Sequence, residues 1–440
     1  MSENLALSTA DFLELLVDAR QRTLALTDDL HDEQMTVPHT QVVNPFLWEL
    51  GHVGFFYDVF VLQHLDGTPF SLDRAERLYD SFRVNHEDRW SLPLPSRPQT
   101  LAYMEQVLER TQTRLEKTRD GGLNGNERYC LFLAILHEDM HCEAFTYMRQ
   151  TLGYPAPRVG TNGDGQAAST PPAAEPGPLP GDVEIPGGKF ILGAHPEQPF
   201  VFDNEKWGHE VELAPFRMAR APVTNREFLE FVEDRGYFQE ELWSYGGWTW
   251  RSKHSLSKPV YWSRGDAGWL RRDFDRWVPL EDHRPVCFVS WYEAEAYCNW
   301  ARRRLPTEAE WELAASSTSD GSAKHLYPWG DGDFDGRHVS LDSRHLGCVD
   351  VAAHPEGDSG LGCRQMLGNV WEWTATDFYP YPGFIVDRPY LQYSAPWFGY
   401  RKVLKGGCWA TRDRLANNTY RNYFEPFRQD VIAGFRTCAR

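Results

Sequence analysis

Apolar residues at Phe12, Leu15, Leu16 and Ala19 follow Ser8 and Thr9, either of which can cap a helix; the three-and-four spacing predicts a helix with one face on a core. A second helix is predicted from Pro45 through Leu65, bounded by Asn44-Pro45 and Gly67, with His52 lying among Trp48, Phe55 and Phe56. A third runs from Thr100 to Lys117 on Leu101, Met104, Val107 and Leu108. The fourth, Cys130 to Tyr147, CLFLAILHEDMHCEAFTY, holds no Gly or Pro and is nearly continuously apolar up to Leu136. Four such segments predict a four-helix bundle, in which any ligand set forms between facing helices.

The pattern then changes twice. From Pro155 to Asp182 the chain is Pro, Gly, Ala and small polar residues with almost nothing to bury, which reads as a linker. From Val183 onward, short β-rich runs such as KFILG alternate with Gly, Pro and Trp. Helices are predicted at Thr224 to Arg235 and at Ser290 to Arg304, the latter with Ser290 and Glu293 in a capping-box pattern. The predicted fold class is therefore α+β, with a bundle over residues 1–154, a linker over 155–182 and an irregular domain over 183–440, whose loops carry function.

Composition narrows the chemistry. A formal charge of −18 argues against non-specific nucleic-acid binding and against an anionic membrane surface. No apolar run approaches the length of a membrane span, and the N-terminus has neither a charged n-region nor an apolar h-region, so a soluble cytoplasmic protein without a signal peptide is expected. Eight scattered cysteines without CxxC read as reduced thiols, which fits that compartment. The 14% aromatic content suits aromatic-lined pockets, and the partners expected are small molecules.

The fourth helix carries the candidate chemistry. His137 and His141 stand four apart, so both imidazoles project from one face as a pair of ligands for a first-row metal. The letters also spell HExxH, with Glu138 where a zinc protease has its general base. Neither the Gly and third His of a metzincin nor a following helix with a Glu ligand comes next, so the third ligand is sought upstream. A helix-surface pair of polar residues is the plain alternative.

Further motifs carry a resemblance. IPGGKFILG, PVTNREFLEFV, RPVCFVSWYEAEAYCNWARRRLPTEAEWELAA, YPWGD, GNVWEWTATDF, KGGCW and the terminal GFRTCAR, in order, resemble the formylglycine-generating-enzyme/sulfatase-modifying-factor fold. LWELGHVGFF and LHEDMHCE resemble the metal-bearing segments of a DinB-like bundle. Together the two parts resemble the ergothioneine sulfoxide synthase family: non-haem iron enzymes that use O2 to join a chalcogen to the imidazole C2 of hercynine. The resemblance implies Fe(II) held by His52, His137 and His141, with O2 as cosubstrate. Glu138 and Glu143 are candidates to hold the N–H groups of these ligands, a helix-surface salt bridge being the plain alternative. The resemblance also implies hercynine contacts from Trp48, Asn422 and Tyr423, and a proton-donating phenol at Tyr379 or Tyr381, Phe378 occupying the usual acid's position. Thr411 and Ala416 stand where formylglycine-generating enzymes carry their copper-binding cysteines, which disfavours that activity; Cys408 reads as a small buried residue.

Departures from the family bear on the chalcogen donor. Where enzymes using γ-glutamylcysteine hold its ammonium with an Asp, this chain has Phe424, and Met140 replaces a frequent Gln between the helix histidines. The loop from Ser81 to Ser96 keeps Arg83 and Arg89 without the paired spacing. These changes suit a hydroxyl-rich donor, and the family member that fits is selenoneine synthase, which takes a 1-seleno sugar; His86, Asp88, Trp90 and Arg428 are candidates for sugar contact. The alternatives are an ergothioneine-type synthase using γ-glutamylcysteine or cysteine, a zinc-dependent hydrolase or thiol transferase, and a non-catalytic binding module.

Overall fold

The computed structural model describes residues 7–118, 122–159, 177–321, 323–332 and 336–440. The chain divides into two compact units: one comprises the described residues up to Val159 together with Glu197–Phe200 and Asp387–Leu391, the other the remainder. Most of the predicted linker, residues 160–176, lies outside the described residues. Its described ends are tied down: Pro155 O accepts from Arg149 Nε at 2.8 Å, and Gly177 N donates to Asp350 at 2.9 Å.

The first unit is built on four long helices, Thr9–Ala25, Phe46–Tyr57, Arg97–Lys117 and Gly125–Leu152. Ser8 caps the first through a reciprocal pair with Asp11. The second continues through a π-type stretch, Asp58–Gln63, in which buried Asp58 accepts hydrogen bonds from the Ser71 N–H, the Ser71 hydroxyl and the Tyr103 hydroxyl. The fourth starts earlier than its apolar run suggests because Asn124 and Glu127 form a capping box, and it ends where Gly153 turns left-handed at φ 67°. Phe12, Leu16, Phe46, Leu50, Val53, Val107, Leu131 and Ile135 are all buried between these helices, each contributing about 1.5–3 kcal/mol of transfer free energy. Two strips of downstream chain complete the unit: Phe200 packs on Tyr129 and Phe132, and Asp387 accepts from the Tyr129 hydroxyl at 2.8 Å.

The second unit is the irregular α+β domain expected. One four-stranded antiparallel sheet runs in the order Asp182–Ile185, Phe216–Ala219, Cys438–Ala439, Arg303–Arg304. A second runs Asn422–Phe424, Lys402–Lys405, Trp371–Asp377, Ala433–Gly434, its last pair parallel. A two-stranded hairpin, Gly188–Leu192 with His209–Leu213, and a three-stranded meander from Trp262 to Pro279 complete the strands named among the described residues. Helices Asn225–Glu233, Trp291–Trp300 and Glu308–Ser316 each open on a Ser/Thr-x-x-Glu capping box. Strands this short bury little on their own, and buried ion pairs tie them together. Arg436 binds Glu372, Arg421 binds Glu308, and Lys405 binds Glu312. No helix among the described residues is long and apolar enough to cross a membrane.

Candidate metal centre

His52, on the helix Phe46–Tyr57, faces His137 and His141, one turn apart on Gly125–Leu152; one nitrogen from each lies within 4.8 Å of the others. The ring centroids are 5.1 Å apart for His52 and His137, 5.0 Å for His52 and His141, and 4.4 Å for the helix pair. The Nε2 atoms of His137 and His141 approach to 3.1 Å. Burial holds His52 neutral, its pKa brought down to about 3, and pushes His137 well below its ordinary value.

The surroundings decide which nitrogen each ring offers. Nδ1 of His52 lies 2.7 Å from the carbonyl of Tyr79, and Nδ1 of His141 lies 2.6 Å from a Glu49 carboxylate oxygen. A carbonyl can only accept, so the His52 proton is on Nδ1 and the Nε2 lone pair points inward. Ionised Glu49 fixes the same tautomer in His141: burial pushes its pKa up, but His141, His52 and Arg89 outweigh that and bring it to about 2. Nδ1 of His137 is buried without a partner, and its ring lies flat on Phe56 at 3.6 Å. With no ion present His137 can carry its proton on Nε2 and donate it to His141 Nε2, and a metal would take that proton's place among three converging imidazole nitrogens, so the donor set fits a transition metal with open positions.

Glu49 is in turn held by Asn44 at 2.7 Å, and Asn44 accepts from Arg89 at 2.6 Å. The Arg89 guanidinium sits 3.8 Å from the Trp48 ring centre, and that indole stacks on His52 at 4.9 Å. Sequence reasoning missed Glu49, although Glu-x-x-His within one helix is a readable bundle-ligand pattern. It looked instead to Glu138 and Glu143 for this role. Glu138 accepts from Arg20 at 2.9 Å and Thr23 at 2.8 Å on the first helix; Glu143 is buried on the fourth helix, as Glu138 is. Gly51 admits the Tyr79 ring, which an added Cβ would meet at 2.1 Å, and so lets the Tyr79 carbonyl reach His52.

Residues 15–144 match the DinB superfamily model, and residues 167–440 match the sulfatase-modifying factor enzyme 1-like domain. Hercynine oxygenase from Mycobacterium tuberculosis is 36% identical over 426 residues, covering 96% of each chain. The hercynine oxygenase of Mycolicibacterium thermoresistibile is 34% identical, over 97% of this chain and 94% of its own. The chain belongs to the hercynine oxygenase family. A formylglycine-generating enzyme from Streptomyces coelicolor is 31% identical over 57% of this chain, which matches the second part of that two-part organisation.

The remaining residues singled out in this hercynine oxygenase family member divide between the two units. Met140 is half-buried on the ligand helix. In the loop before the third helix, His86 Nε2 lies 3.2 Å from the Val43 carbonyl, Trp90 donates to Val37 O, Asp88 accepts from Asn85 and Arg83 pairs with Asp80.

In the second unit Tyr423 stacks on Phe378 at 3.9 Å and donates its hydroxyl to Tyr393 O; Asn422 Oδ1 accepts from the Tyr423 N–H at 2.8 Å. Phe424 lies under the Arg428 guanidinium at 4.9 Å, and Arg428 also binds Asp430. Tyr379 is 55% exposed. Tyr381 is buried, donates to Glu308 at 3.0 Å and lies under Arg421 at 4.1 Å. Cys408 is fully buried, with the Thr411 hydroxyl 3.4 Å from its sulfur, and Ala416 is buried.

Proposed function

We propose that this chain is an iron(II)- and O2-dependent oxidoreductase that joins hercynine at its imidazole C2 to a 1-seleno sugar through a selenoxide, the reaction of a selenoneine synthase. The observation that carries the metal chemistry is the convergence of three imidazoles within 4.8 Å, two of them with Nδ1 engaged so that Nε2 is left for a metal. A ferrous ion held by His52, His137 and His141 would keep open positions for a chalcogenolate and for O2. The full-length relatives named hercynine oxygenase support hercynine as the oxidised substrate.

The chain's own residues set the rest. Glu49 and the Tyr79 carbonyl keep protons off the inward nitrogens of His141 and His52. Hercynine contacts are assigned by resemblance to Trp48 in the first unit and to Asn422 and Tyr423 in the second, and proton donation to Tyr379 or Tyr381. Of these two phenols, Tyr379 is the accessible one, while burial raises the Tyr381 pKa well above the ordinary value.

The donor assignment rests on Phe424: a phenyl ring offers no counter-charge to an ammonium where the resemblance puts an Asp, so this position suits a hydroxyl-bearing donor better than γ-glutamylcysteine. A zinc hydrolase needs Glu138 on the metal-bound water, and Glu138 is taken by Arg20 and Thr23.

The test is a donor competition. The Fe(II)-loaded chain, hercynine and air are mixed with a 1-seleno sugar, γ-glutamylcysteine and cysteine together, and products are read by mass. The selenosugar adduct should dominate and should vanish without O2. A dominant γ-glutamylcysteine adduct moves the chain to the ergothioneine-type reaction, and turnover of a zinc-loaded sample without O2 overturns the oxygenase reading.

A further inference from the structure

Two of the three histidines are aimed by a hydrogen bond at Nδ1, His52 by the Tyr79 carbonyl and His141 by Glu49. His137 has no such partner at Nδ1, which is buried and unpaired; its hydrogen bond is on the other side of the ring, from Nε2 to His141 Nε2 at 3.1 Å, where the metal would bind. What remains to fix its plane is the Phe56 ring, parallel to it within 11° at 3.6 Å. Phe56 is in turn wedged by two further rings. Phe60 lies 4.3 Å away, and Tyr390 stands edge-on at 5.1 Å; Phe60 and Tyr390 are themselves 5.1 Å apart. Phe60 comes from the π-type continuation of the His52 helix. Tyr390 comes from Asp387–Leu391, a strip of chain more than 200 residues downstream that is counted with the first unit and pinned there by the Tyr129 to Asp387 hydrogen bond.

We infer that Tyr390 is a positioning residue for the metal centre: its ring holds Phe56 against His137 and so sets the direction of that ligand's Nε2, a task done by hydrogen bonds at the other two ligands. The inference rests on the metal-centre reading. A ring without a hydrogen-bond partner at Nδ1 can rotate about its Cβ–Cγ bond at little cost once Nε2 is given over to a metal, and shape is what stops it. The triad is then completed by the downstream strip, and metal affinity answers to a residue far from the bundle in sequence. The effect is carried by the ring's bulk, so Phe serves as well as Tyr at this position.

The experiment uses the full-length chain, stripped of metal and titrated with Co(II), whose visible bands report ligand geometry. Tyr390→Phe should keep the parent's affinity within about twofold and the same bands. Tyr390→Ala should bind about tenfold more weakly, the scale of losses on removing a ligand's orienting partner, with shifted bands. Tyr390→Leu, which keeps bulk but not the flat edge, should fall on the same side as Ala and serves if the Ala variant does not fold. Phe200→Leu loosens the other strip and should leave both readouts unchanged. Parent-like binding and bands in Tyr390→Ala, or equal losses in Phe200→Leu, overturn the inference. A parent that fails to take up one equivalent of Co(II) overturns the metal-centre reading itself.

Discussion

Replacing Glu205 by Gln should remove a pH-dependent weakness from the second unit. Glu205 is fully buried, and burial raises its pKa from 4.5 to about 7; Lys405, the Thr419 hydroxyl at 2.9 Å and Arg421 only partly offset this, and Glu312 adds repulsion. Glu312, in the same cluster, goes the other way. Burial raises its pKa as well, but Lys324 at 2.6 Å, Lys405 at 3.0 Å and the Gly193 N–H at 2.8 Å outweigh it and bring it to about 2. For Glu205 the folded state binds the proton more tightly than the unfolded one. Its contribution to stability is therefore complete below pH 4.5 and is lost as pH rises through about 7. A shift of about 2.5 units at about 1.36 kcal/mol each amounts to about 3 kcal/mol lost across that window. Glu205→Gln carries no titratable proton and should be more stable than the parent by about 2–3 kcal/mol at pH 8, with little difference at pH 4.5. Urea unfolding followed by tryptophan fluorescence reads this unit, since all tryptophans except Trp48 and Trp90 lie in it. Equal stability of parent and variant at pH 8, or a parent more stable at pH 8 than at pH 5 by the same margin as the variant, would refute the reasoning.

Arg20→Leu strands the buried Glu138 carboxylate and should cost about 3–5 kcal/mol of stability in the first unit, measured by denaturation of the metal-free chain. Glu49→Gln keeps the shape but loses the charge on His141 Nδ1 and should weaken metal binding about 10- to 100-fold in a competition titration with a chelator; unchanged affinity would remove Glu49 from the site. Gly51→Ala puts a Cβ into the buried Tyr79 ring and should destabilise the bundle by about 1–3 kcal/mol while loosening the Tyr79 carbonyl from His52, seen as weaker Co(II) binding; a parent-like melting curve would contradict the packing.

The four helices and the pair of ligands on the last were legible because helical periodicity and His-x-x-x-His are local patterns, and a second helix carrying His52 within an apolar stretch is local too. The polar shell was less so. Glu49 could have been found, three residues before His52 in one helix. Arg89 over Trp48 could not, because the contact depends on how the loop from Ser81 returns, and the sequence shows that arginine only as one kept without the paired spacing of a donor-binding loop. Glu138 illustrates the opposite error. HExxH places a carboxylate beside the first ligand in sequence, but only the packing of the first helix decides that Arg20 and Thr23 take it. The division into units was read from composition, and composition cannot show that Glu197–Phe200 and Asp387–Leu391 pack with the bundle, since a tertiary contact between residues far apart in sequence leaves no periodic trace.

The three candidate ligands are held by three different physical means, and the difference has a consequence for how the site fails. A carboxylate bond to His141 is strong and electrostatic, a carbonyl bond to His52 is tied to the backbone, and a ring stack on His137 is neither. Stacking is nearly isotropic about the ring normal, so it fixes the plane of the imidazole but resists sliding within that plane only through the surrounding walls. His137 is therefore the ligand with the shallowest restoring force. Its Nε2 lies 3.1 Å from His141 Nε2, and in the metal-free chain that contact is a hydrogen bond only while His137 carries its proton on Nε2, so a change of tautomer releases the ring least held elsewhere. Loss of the ion should be felt first as motion of His137 and its Phe56 partner, with His52 and His141 staying in place on their hydrogen bonds. Imidazole resonances of the metal-free protein would show this as exchange broadening confined to His137, and equal broadening of all three rings would mean that the hydrogen bonds confer no advantage over the stack.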